Sequence, residues 1–181
     1  TFFSLAAIRV LCLVLLACGV SLSARAADAP AAAPTILVLG DSLSAGYGIR
    51  VEQGWVALLQ ARLRAKGYGH RVVNASSSGE TTGGALARLP RALATHRPAI
   101  VIVELGGNDG LRGLPLKQTR ENLDKMILAA QGANAKVLLI GVQVPRNYGA
   151  RCNEELAALY FDVAKAQGAG LVAFFFKGIA D

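Results

Sequence analysis

The chain has 181 residues, 53% of them hydrophobic, and 19 lysines and arginines against 12 acidic residues give a formal charge of +7. The basic residues Arg62, Arg64, Lys66, Arg88, Arg91 and Arg97 are scattered over helix-like segments with no aromatic interleaving, which argues against a nucleic-acid partner. Cys12 and Cys18 lie near the N-terminus and Cys152 stands alone, and no Cys/His cluster has metal-ligand spacing, so neither a disulfide framework nor a metal or other cofactor is expected.

Arg9 precedes an unbroken apolar stretch from Val10 to Val20, followed by Ser21-Leu22-Ser23-Ala24-Arg25-Ala26. A positive start, a short apolar core and an Ala-x-Ala end predict a secretory signal peptide over residues 1–26, cut after Ala26 or Ala27. The expected destination is the periplasm or the exterior. The stretch is shorter than the about 20 residues that span a bilayer, so no stable membrane span is expected. Leu15-Leu16-Ala17-Cys18 also resembles a lipobox with Cys18 as the acylated residue, and a buried N-terminal helix is the remaining alternative. Residues 27–34, Ala-Asp-Ala-Pro-Ala-Ala-Ala-Pro, read as a short linker.

From residue 35 onward, apolar runs of strand length alternate with helix-period segments. The runs are Ile36–Leu39, Arg71–Asn74, Ile100–Glu104, Lys136–Ile140 and Gly170–Phe174. Between them Trp55, Leu58, Leu59 and Leu63 recur at helical spacing up to a capping Gly67, and a less regular helix is expected over Thr82–Thr95. Leu116–Gln131 forms a further helix ended by Gly132, and Leu156, Leu159, Tyr160 and Val163 mark another ended by Gly168. Near-continuous apolar strands separated by helices imply a parallel sheet covered on both faces, a three-layer α/β/α domain with five strands.

In such a sheet ligands bind outside the carboxyl ends of the strands, where strand order reverses. With the flavodoxin-like order 2-1-3-4-5, the segments after the first three strands are neighbours. They carry Gly40-Asp41-Ser42-Leu43-Ser44, Ser78-Gly79-Glu80 and Gly106-Gly107-Asn108-Asp109. Ser42 at a strand-to-helix turn is placed as a nucleophile is placed. The backbone N–H groups of Ser42 and Gly79 and the carboxamide of Asn108 supply the donors an acyl-transfer oxyanion needs. Each piece also has a plainer reading: Asp41 and Ser42 as a helix N-cap, Gly79 as a loop glycine, Asn108-Asp109 as a turn. Leu111 and Leu114, in the apolar stretch after Asn108, either line an acyl-chain groove or staple the following helix.

Gly40-Asp41-Ser42-Leu43-Ser44-Ala45-Gly46-Tyr47-Gly48 resembles the first block of the SGNH (GDSL) hydrolases. Asn74–Thr82 resembles the second block and Glu104–Gly113 the third. Within that family the likeness is to the periplasmic thioesterase I/lysophospholipase/protease I group, often termed arylesterases. It runs from Thr35 to about Phe176. The resemblance implies a flavodoxin-like SGNH fold, Ser42 as nucleophile, and Gly79 and Asn108 in the oxyanion hole. Asp41 and Asp109 are then loop-shaping residues. It also implies small-molecule acyl ester, thioester or lysophospholipid substrates, and a monomer is expected.

A serine hydroxyl needs a base to take its proton. His70 and His96 precede the second and third strands and so belong to the opposite edge of the sheet, about a strand length of 16 Å away. The family carries its Asp-x-x-His block after the fifth strand, so the triad Asp and His are expected beyond Asp181. With the last helix also expected there, part of the apolar sheet should lie uncovered. The competing reading is a non-catalytic hydrolase-like protein or a phosphate- or nucleotide-binding module of the flavodoxin type. Neither Gly-x-Gly-x-x-Gly nor a P-loop pattern follows any strand, which weighs against it.

Overall fold

The computed structural model describes residues 33–179. The expected signal peptide over residues 1–26, the first part of the expected linker, Ala180 and Asp181 lie outside the described residues. Five strands, β1 (Thr35–Gly40), β2 (Arg71–Asn74), β3 (Ile100–Glu104), β4 (Lys136–Ile140) and β5 (Gly170–Val172), form one sheet in the order β2-β1-β3-β4-β5. Every pairing is parallel. Between the strands lie α1 (Ser42–Ala45), α2 (Trp55–Ala65), α3 (Thr82–His96), α4 (Gly107–Leu111), α5 (Leu116–Gly132) and α6 (Ala150–Gln167). This is the expected doubly wound arrangement.

Side chains alternate across a strand, so each inner strand feeds two cores. Leu37, Leu39, Val101, Val103 and Leu139 point to one face, where Leu89 of α3, Met126 of α5 and Leu156 of α6 pack on them. Ile36, Val38, Ile102 and Ile140 point to the other face and meet Val56, Trp55, Leu59 and Leu63 of α2. The strand side chains named on the first face are all buried. On the second, Trp55, Leu58, Leu59, Leu138, Val172 and Phe175 border an open, almost wholly apolar groove of about 320 Å³. Among the described residues no helix covers this part of the sheet.

Helix ends follow backbone chemistry. Gly67 (φ +77) ends α2 in a Schellman arrangement, with Tyr68 N–H bonded to the Leu63 carbonyl at 2.9 Å and Gly67 N–H to that of Arg64 at 3.0 Å. Gly168 caps α6 in the left-handed conformation as read. Gly132 closes α5 without the left-handed conformation of a capping glycine. It lies in the last turn, and Asn134 (φ 62) takes the left-handed position, with Ala135 N–H bonded to the Ala130 carbonyl at 3.0 Å. Asparagine tolerates that conformation through its short polar side chain. Among the described residues no helix is long and apolar enough to cross a membrane.

Candidate active site

The first strand delivers Gly40 opposite Glu104 on β3. A Cβ at Gly40 would lie 2.5 Å from Ser44 Oγ and 2.9 Å from Glu104 Oε2, so only glycine lets the turn close over that pair. Asp41 then caps α1: its Oδ1 accepts the N–H of Leu43 at 3.0 Å. Ser42 is therefore the first helical residue and not the cap. It is half-buried, and its hydroxyl has no hydrogen-bond partner among the described residues.

Gly79 sits in the turn after β2 with φ +76, a conformation that L side chains rarely adopt. Its carbonyl accepts a hydrogen bond from Arg112 Nη2 at 2.8 Å, which fixes the peptide between Gly79 and Glu80. Asn108 lies in the first turn of α4, and its Nδ2 donates to Asp41 Oδ2 at 3.0 Å and to the Glu80 carbonyl at 2.9 Å. One carboxamide thus ties together the segments that follow β1, β2 and β3. Both of its amide hydrogens are engaged, whereas the backbone N–H groups of Ser42 and Gly79 have no partner among the described residues.

Asp109 faces inward. It accepts the N–H of Thr82 at 2.9 Å and the hydroxyls of Thr82 and Thr119. Asn122 Nδ2 donates to Thr82 Oγ1 at 3.0 Å, so α3, α4 and α5 converge on this carboxylate. Burial raises the pKa of Asp41, partly offset by the bonds from Leu43 and Asn108, and the charge of Asp109 pushes the same way as burial.

Two clefts meet at Ser42. One of about 190 Å³ is lined by Ser42, Asn108, Leu111, Val142 and Val144. The other, about 380 Å³, is lined by Ser42, Leu43, Tyr47, Ile49, Leu58 and Phe176. Leu111 is 42% exposed and lies on the first cleft. Leu114 is half-buried and lines neither. His70 precedes β2, where its carbonyl accepts from Gln60 Nε2 at 3.0 Å, and His96 ends α3. Both occupy the edge of the sheet opposite Ser42.

Residues 38–181 match the model of the GDSL-like Lipase/Acylhydrolase family. The chain belongs to this family. Among GDSL-like relatives, "Esterase TesA" of Pseudomonas aeruginosa is 54% identical over 149 residues, covering 82% of this chain and 74% of that protein. "Thioesterase 1/protease 1/lysophospholipase L1" of Escherichia coli K12 is 46% identical over 149 residues, covering 82% and 70%. A crystal structure of TesA superposes with a TM-score of 0.78 at 53% identity and covers 80% of each chain.

Sequence patterns alone pass over several residues of this GDSL-like site. Ser44 Oγ donates to Glu104 Oε2 at 2.6 Å, and Asn74 Nδ2 donates to the Ser44 carbonyl at 2.8 Å. The available signal was a lone carboxylate closing the apolar run Ile100-Val101-Ile102-Val103, where a buried strand should end in something apolar or small. Arg112, which reaches back to Gly79, carried no signal, because a surface arginine in a loop has no preferred partner in sequence.

Proposed function

We propose that this protein is a serine carboxylic-ester hydrolase acting on acyl esters and thioesters, lysophospholipids included. Ser42 Oγ attacks the acyl carbonyl and gives its proton to a base, and the alcohol or thiol leaves with a proton. Water then cleaves acyl-Ser42, releasing the carboxylic acid and restoring the hydroxyl. The N–H groups of Ser42 and Gly79 take the oxyanion, and Asn108 joins them by sharing one of its amide hydrogens, each donor being worth about 3 kcal/mol. Asp41 and Asp109 hold the turns. The base is neither His70 nor His96, which occupy the opposite edge of the sheet. Residues 1–26 act as the export signal and 35–181 as the hydrolase domain, which places the enzyme in the periplasm or outside the cell.

The observation that carries this reading is the Asn108 carboxamide bonded to Asp41 and Glu80, which gathers three strand ends around an unpartnered serine hydroxyl. Replacing Asn108 with alanine in the full-length protein should lower kcat for p-nitrophenyl butyrate by about 10²-fold with KM little changed. A variant with wild-type kcat would remove Asn108 from the oxyanion hole.

The cleft beside Leu111 is lined by Leu43, Leu111, Val142 and Val144 as well as the polar Asp41, Asn108 and Gln143, and it adjoins Ser42; its apolar side suits an acyl chain. Leu111→Asp should raise KM for a decanoate ester at least tenfold and leave an acetate ester within about twofold, since only a long chain laid over this position desolvates the charge. Equal effects on both esters would assign the cleft to something else.

A further inference from the structure

Glu104 is the deepest ionisable group near the site and has no part in the chemistry described so far. Its side chain is 0% exposed at the carboxyl end of β3. Oε2 accepts the Ser44 hydroxyl at 2.6 Å, and Oε1 is buried without a partner. Ser44 is the third residue of α1, the helix that begins with Ser42, and Asn74 holds the Ser44 carbonyl from β2. Glu104 is thus the fixed point against which the serine-bearing turn is braced.

We propose that Glu104 is a positioning residue for Ser42, acting through its hydrogen bond to Ser44. The inference rests on Ser42 being the nucleophile. Glu104 touches no reacting atom. It sets the height and rotation of α1, and with them the direction of the Ser42 hydroxyl and the Ser42 N–H. Gly40 belongs to the same device, because any side chain there would part Ser44 from Glu104.

The groups facing Glu104 decide its protonation. Asp41 at the end of β1 is the charged group bearing on it, the Ser44 hydroxyl and the N–H groups of Asp41 and Ser44 pull the other way, and β4 places Ile140 beside it in register. From α6 comes the buried hydroxyl of Tyr160, which donates to the Leu105 carbonyl at 2.8 Å. No described lysine or arginine pairs with Glu104. An ionised carboxylate with one unsatisfied oxygen is disfavoured in such surroundings. Burial, and then the charge of Asp41, push its pKa up from the ordinary 4.5 to about 8. The brace therefore works with a neutral carboxyl, and ionisation puts a second negative charge beside Asp41 and loosens α1.

The test is the pH profile of kcat/KM in full-length protein carrying Glu104→Gln, Glu104→Ala or Ser44→Ala. The wild type should lose activity on the alkaline side with an apparent pKa near 8. Glu104→Gln, which still accepts from Ser44 and cannot ionise, should keep the plateau rate within about threefold and lack that limb. Glu104→Ala and Ser44→Ala should lower plateau kcat at least tenfold with KM little changed. A Gln variant that keeps the alkaline limb, or an Ala variant with the wild-type plateau, overturns the proposal.

Thermal unfolding separates this idea from the nucleophile assignment. A carboxyl whose folded pKa is raised binds a proton in the folded state that the unfolded state lacks, so stability falls as pH climbs from about 4.5 to about 8 and then levels. Glu104→Gln should gain about 5 °C or more in Tm relative to wild type between pH 5 and pH 8. That shift is independent of whether Ser42 is the nucleophile, and its absence would count against Glu104 alone.

Discussion

Ser42→Ala in the full-length protein is expected to lower kcat for ester and thioester substrates by 10⁴-fold or more, with Tm unchanged to within about 2 °C. The two halves of this expectation come from separate observations. The hydroxyl makes no hydrogen bond among the described residues, so its removal leaves no buried group unsatisfied. The capping role that a serine often takes at this point belongs to Asp41, whose carboxylate already holds the N–H of Leu43. A serine that caps a helix costs about 1 kcal/mol when replaced by alanine and nothing in turnover. A serine that attacks substrate shows the reverse. Michaelis kinetics and a melting curve on one variant tell the two apart.

Asp109→Ala is expected to produce the largest stability loss at the site, about 3 kcal/mol or more, read as a Tm drop of about 10 °C. The carboxylate is 1% exposed and accepts from both the backbone and the hydroxyl of Thr82 and from Thr119. Deleting it leaves the first N–H of α3 and two hydroxyls without an acceptor in a buried spot, the costly way to lose a hydrogen bond. Asp109→Asn keeps one oxygen acceptor and turns an NH2 toward the Thr82 N–H, so its loss should be intermediate. Because Asn108 is the adjacent residue on α4, kcat should fall along with Tm in both variants. A melting temperature within about 2 °C of wild type for the alanine variant would show that Thr82 finds another partner.

Much of this fold lies open in the sequence because its strands are buried on both faces. The apolar runs predict β2, β3 and β4 to the residue, and β1 extends one residue further at each end. The fifth run was read through Phe174, whereas β5 ends at Val172. There the chain leaves the sheet: the Ala173 carbonyl lies over Gly141, and the Phe175 ring turns back onto Trp55 with centroids 5.0 Å apart. Three consecutive phenylalanines look like strand to a pattern, while the rings of Phe175 and Phe176 pack on each other beside Trp55 at the start of α2. Gly67 and Gly168 end their helices with positive φ, whereas Gly132 is the last residue of α5 and Asn134 takes the left-handed position beyond it.

The site was legible as three loops at one edge, and less so as geometry. Asn108 and Asp109 looked like a turn between glycines, yet both lie within α4, which aims one side chain at the rim and the next into the core. Helical phase, invisible in a four-residue motif, makes that division. The bonds from Asn108 to Asp41 and Glu80 span long stretches of sequence and depend on the register β1–β3 sets. Glu104 was visible as an oddity, a carboxylate in an apolar strand, but its purpose needed the position of Ser44. Leu111 and Leu114 looked equivalent, and the structure separates them, since the chain between them turns through Gly113 and only Leu111 stays beside Ser42.

The central assignment is tested most directly by treating the full-length protein with a fluorophosphonate and mapping the adduct by peptide mass spectrometry. The account predicts a single phosphonyl group on Ser42, formed in step with loss of esterase activity. Inactivation with the label on any other residue, or activity that survives complete labelling of Ser42, would contradict it.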